Sequence, residues 1–109
     1  MEWAPYVSYF FGGIFLANAV PHFVSGMMGR SFQTPFAKPP GVGLSSSTVN
    51  ALWGFTNLVA SYFLICRVGN FDLRNTVQVA ICGLGILVIA VAMARRFGRF
   101  HGGNSSGGK

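Results

Sequence analysis

Three stretches of this chain run for roughly twenty residues each without a charged side chain, the length an α-helix needs to cross the hydrocarbon core of a bilayer. They cover approximately residues 6–25, 48–66 and 76–94; the second stops at Arg67 and the third at Arg95 and Arg96. Each is about twice the length of a membrane β-strand and lacks in/out alternation, so helices are expected. Only 9% of the residues are charged, against about 25% in an ordinary soluble domain. An apolar content of 51% excludes disorder. The expectation is an all-α membrane protein of three transmembrane helices, forming a single domain over residues 1–101.

The first span is interrupted by Asn18, Pro21 and His22. Its first half followed by Ala17-Asn18-Ala19 also fits a signal peptide with a small-residue cleavage site. The leader carries Glu2 and no Lys or Arg, so the basic region of a signal peptide is missing and a retained helix is expected. The first connection, residues 26–47, is long and rich in Pro and Gly, which block helix and favour turns. Two readings fit it: a loop on the headgroups with Phe32 and Phe36 dipped into the interface, or a docking loop for a partner subunit. The second connection, residues 67–75, turns at Gly69-Asn70 and makes a hairpin of the last two spans. Residues 102–109 read as a flexible Gly/Ser tail.

Three spans put the N-terminus and the second connection on one side, and the first connection and C-terminus on the other. The first side holds two basic residues, Arg67 and Arg74; the second holds six, Arg30, Lys38, Arg95, Arg96, Arg99 and Lys109. Basic residues in short loops stay cytoplasmic, so the expected orientation is N-terminus out and C-terminus in, in a plasma or bacterial inner membrane. Arg95, Arg96 and Arg99, interleaved with Phe97 and Phe100 directly after a span, read as a lipid headgroup anchor. No phosphate-binding fold accompanies them, and nucleic acid is not an expected partner.

Chemistry-bearing residues are sparse. Cys66 closes the second span while Cys82 lies about 9 Å deeper along the third, too far apart to pair. No Cys/His metal spacing occurs, and neither a metal nor a cofactor is expected. Both acids, Glu2 and Asp72, lie outside the spans. Small multidrug transporters share this length, but they use four spans and a glutamate within the first; proton-coupled antiport of that kind is disfavoured here. Ser8/Gly12, Gly13/Ala17 and Ala90/Ala94 form small-xxx-small pairs that permit close helix contact.

One pattern stands out. Asn50, Gly54, Asn57 and Ser61 follow helical spacing along one face of the second span, and Asn18, His22 and Ser25 along one face of the first. Counted from the two ends of the first connection, His22 is level with Asn50, and Asn18 with Asn57, to within about 3 Å. Polar groups facing lipid are costly, so Asn18, His22, Asn50 and Asn57 are expected to form a polar intramembrane seam. The expected function is non-enzymatic: a small membrane protein working by helix–helix association, as an accessory subunit of a larger complex or as a homo-oligomer. One alternative is an oligomeric pore or small-solute carrier lined by those four residues. A second is a redox or cofactor-binding accessory built on His22. The expected partners are the bilayer and other membrane subunits or a second copy.

Overall fold

The computed structural model describes residues 3–103. Three helices, α1 (Ala4–Met27), α2 (Ser47–Tyr62) and α3 (Thr76–His101), carry the fold, with two short strands, β1 (Phe32–Gln33) and β2 (Leu44–Ser45), between α1 and α2. All three helical segments, counting α2 through Arg67, are long and apolar enough to cross a membrane. The described chain measures 44 × 31 × 23 Å, and its long axis matches the roughly 40–45 Å of a bilayer with its headgroups.

Local chemistry sets the helix ends. Pro5 occupies the first turn of α1, where its missing N–H costs nothing. The helix runs on through Pro21 and closes in a Schellman arrangement. There Arg30 N–H bonds to Ser25 O and Gly29 N–H to Gly26 O, with Gly29 at φ +75°. Ser46 caps α2 by accepting from Val49 N–H, and Asn75 caps α3 by accepting from Gln78 N–H. The last turn of the second span widens into a π-helix over Phe63–Arg67. Ser8 of α1 donates to Leu64 O in that turn, at 2.5 Å. Beyond Ala94, where the apolar run ends, α3 continues in helix through the arginines to His101.

Helix α1 is central, with α2 on one side and α3 on the other, and α2 and α3 barely touch. Glycine makes both contacts close. A Cβ on Gly54 of α2 would lie 2.5 Å from Phe23 N of α1. Toward α3, Gly13 packs on Cys82 O and Gly85 packs on Phe10 O, each a backbone-to-helix contact with no room for a side chain.

What the bundle buries is mainly polar. Among the described residues only Tyr9, Ala19 and Cys82 form the buried apolar core, whereas Ser8, His22, Gln33, Thr34, Asn50, Asn57 and Ser61 are buried polar residues. Large apolar side chains such as Val20, Leu52, Phe55, Leu87 and Val91 point outward. This distribution suits a hydrocarbon surround, where apolar surface costs nothing and polar groups must find partners inside.

Candidate functional site

The four buried residues of α2 are Asn50, Gly54, Asn57 and Ser61, the same face picked out by spacing in the sequence. It meets α1 along the stripe that carries Asn18 and His22. Asn18 Nδ2 donates to Asn57 Oδ1 at 3.1 Å, and Asn57 Nδ2 donates to Trp53 O at 2.8 Å. Four residues along α1, His22 Nδ1 pairs with Asn50 Oδ1 at 2.9 Å. Asn50 is fully buried and His22 is 3% exposed.

The Asn50 amide fixes the chemistry of this contact. Its Nδ2 donates to Phe32 O, Ser45 O and Ser46 O at 3.0–3.1 Å, two N–H groups shared among three carbonyls. That leaves Oδ1 as the acceptor, so His22 carries its hydrogen on Nδ1 and the ring is held in one tautomer. Phe32 lies in β1 and Ser45 in β2, which pair antiparallel with Phe32 opposite Ser45 and Gln33 opposite Leu44. A single side chain of α2 therefore ties both strands of the first connection to the histidine of α1.

The connection is consequently tied to the helices at both of its strands. Phe32 is inserted between helices: its ring is edge-on to His22 at 5.5 Å and to Phe97 at 4.8 Å, and stacked on His101 at 5.2 Å with an interplanar angle of 5°. Phe36 packs edge-on against Trp53 at 4.9 Å, its own surface remaining largely exposed. Inside the hairpin, Thr34 and Ser45 hydroxyls bond at 2.5 Å, and Thr34 O accepts from Gly41 N–H at 2.8 Å. Helix α3 holds the hairpin from the other side. His101 Nε2 bonds Gln33 Oε1 at 2.9 Å, and Arg96 donates to Gly41 O at 3.1 Å while lying over the Phe100 ring.

The three arginines of the anticipated headgroup anchor thus differ in role. All are exposed, but Arg96 is engaged with the hairpin. His101, placed by its sequence position beyond the bilayer core, comes into the same ring cluster as His22 because Phe32 bridges them. Sequence reasoning missed Phe32, Gln33, Thr34 and His101 as members of the site. Gln33 and Thr34 are nearly fully buried, which nothing in a Pro/Gly-rich stretch signals. Trp53 adds one irregularity: its indole Nε1–H is buried with no acceptor among the described residues.

Cys66 and Cys82 are both free thiols. Among the described residues, no group of three His, Cys, Asp or Glu side chains could hold a metal ion. What the cluster does is pair donors with acceptors across three helices and a hairpin. No family model matches the chain, and no curated protein or solved structure matches it.

Proposed function

We propose that this chain is a small membrane subunit that works by association, presenting the rigid hairpin of residues 32–45 to a partner membrane protein. The observation that carries the reading is the engagement of the seam. The amides of Asn50 and Asn57 bond backbone carbonyls as well as Asn18 and His22, so these groups brace the fold instead of facing a water-filled path. The hairpin they brace carries exposed Phe36, Val42 and Leu44 together with Lys38, an apolar and basic contact surface. Ordered loops on a rigid scaffold are where binding residues concentrate. The orientation that accompanies this reading has the hairpin and the C-terminus cytoplasmic, from the six-to-two excess of basic residues on that side.

Photo-crosslinking from Lys38 and from Val42 in the native membrane tests the association, with Val88 on the outer face of α3 as the reference position. A discrete protein adduct from the hairpin positions, absent from Val88, supports it. Solute flux through vesicles holding the purified chain alone, with no hairpin adduct, would favour the pore instead, and colour at visible wavelengths the cofactor accessory. For orientation, neutralising Arg95, Arg96 and Arg99 leaves near parity in the short loops, and reporter fusions should then read mixed orientation. Unchanged topology would contradict the charge-based assignment.

A further inference from the structure

Helix α3 is joined to the rest of the fold in two unlike ways. Within the membrane run it crosses α1 at glycines, with Gly13 on Cys82 O and Gly85 on Phe10 O. At the hairpin end it is held by side chains. Arg96 donates to Gly41 O at 3.1 Å, and His101 Nε2 bonds Gln33 Oε1 at 2.9 Å. The His101 ring stacks on Phe32, and Phe97 stands edge-on to the same ring. From Ile86 toward Phe97 an apolar cleft of about 570 Å³ separates the α3 wall from Leu16, Ala17 and Pro21 of α1. On its other side α3 barely touches α2.

The two attachments differ in what replaces them when broken. The glycine crossing lies in hydrocarbon and seats backbone on backbone, with no room for a side chain. The hairpin contacts lie past Ala94, and both Arg96 and His101 are exposed. Water can take over their hydrogen bonds, so these bonds contribute little net and open readily. The hairpin does not need α3 to stay closed. Its strands pair with each other, Thr34 O accepts from Gly41 N–H, and Asn50 holds both strands from α2. Losing α3 would uncover one face of Phe32 and the amide of Gln33, which is 5% exposed and bonds His101. An amide uncovered in this way is hydrated again, unlike an apolar group pulled from a core.

We propose that the last two turns of α3, residues 95–101, are a releasable strap over the hairpin, with the glycine crossing as its pivot. The lever is long. His101 lies 16 residues beyond Gly85, about 24 Å at 1.5 Å per residue, so a tilt of about 10° moves it about 4 Å. That displacement parts both hydrogen bonds while the crossing stays packed. In the released state Phe32 and Gln33 join the exposed hairpin surface. The motion is a property of this chain alone, whatever protein the hairpin contacts.

Distances between spin labels in the full-length protein, reconstituted in vesicles, test the strap. With Cys66→Ser and Cys82→Ala as background, labels on Val42 and Arg99 report hairpin to α3, and labels on Val24 and Leu52 report α1 to α2. The double change Arg96→Ala, His101→Ala should raise the ratio of long to short Val42–Arg99 distances about thirtyfold, taking about fivefold for each lost hydrogen bond. The Val24–Leu52 distance should be the same with and without that change. An unchanged Val42–Arg99 ratio in the double variant overturns the strap. Lengthening of both pairs together overturns it as well, because the whole bundle would then be loosening and not α3 alone.

Discussion

His22 Nδ1 donates to Asn50 Oδ1 at 2.9 Å, and through that one bond the middle helix is joined to the segment that closes the end of the bundle. Asn50 sits on α2, yet the other side of its amide serves carbonyls of Phe32 and Ser45 in the hairpin strands. Removing Asn50 would take a partner from carbonyls of β1 and β2 and from the His22 N–H of α1, whereas removing His22 would free Asn50 Oδ1 alone. Removing the neighbouring pair, Asn18 and Asn57, would affect α1 and α2 alone. The two pairs are alike in chemistry and unlike in consequence.

Asn57→Leu is therefore expected to be mild. Interhelical hydrogen bonds in membranes average about 0.6 kcal/mol and reach about 1.7 kcal/mol, so the variant should lose stability within that range and keep partner crosslinking. Unfolding in mixed micelles measures the first and hairpin crosslinking the second. Lost crosslinking with unchanged stability would assign Asn57 a direct functional role.

The close approach of α2 to α1 should show in a pair of alanine substitutions. Gly54→Ala brings a Cβ to 2.5 Å from Phe23 N, a backbone atom that cannot move alone. Overpacking of this kind costs about 1–3 kcal/mol. Gly83→Ala meets nothing within 4 Å, so it should be neutral in the same unfolding measurement. Equal losses from the two would mean that general helix effects, and not contact, set the response.

Trp53→Phe removes an indole N–H that has no acceptor among the described residues while keeping a ring beside Phe36 and His22. Loss of an unpaired buried donor offsets the lost ring volume, and the net change should stay below about 1 kcal/mol. A loss of about 2 kcal/mol or more would show that Nε1–H has a bound partner in the membrane.

Much of the α1–α2 contact was legible before any coordinates. Helical spacing of Asn50, Gly54, Asn57 and Ser61 marked the buried face, and the cost of unpaired amides in hydrocarbon said that the face must turn inward. The hairpin was not legible. Its strands are two residues each, too short for a period-2 signal, and its Pro and Gly say only that helix is excluded. The bond between Gln33 and His101 joins residues 68 apart, and no local pattern records it. The continuation of α3 past the membrane run was hidden as well, because hydropathy falls at Arg95 whereas the backbone ends its helix only at Gly102, with φ +81°. The tail from residue 104 onward lies outside the described residues.

Amide hydrogen exchange of the hairpin tests the central claim most directly, that Asn50 orders the surface this chain presents. Reporter amides are those of Gly41, Val42 and Gly43, which bond to Thr34 O and Pro39 O at 2.8–3.0 Å. Asn50→Leu takes the side-chain donor from Phe32 O and Ser45 O and the acceptor from the His22 N–H, while Ser46 O keeps the backbone N–H of residue 50, at a cost of about 3 kcal/mol if each of the three losses contributes about 1 kcal/mol. Those three amides should exchange about a hundredfold faster in Asn50→Leu and at the wild-type rate in Asn57→Leu, while amides in the middle of α3 stay protected in both. Unchanged protection of Gly41, Val42 and Gly43 in Asn50→Leu would contradict the claim.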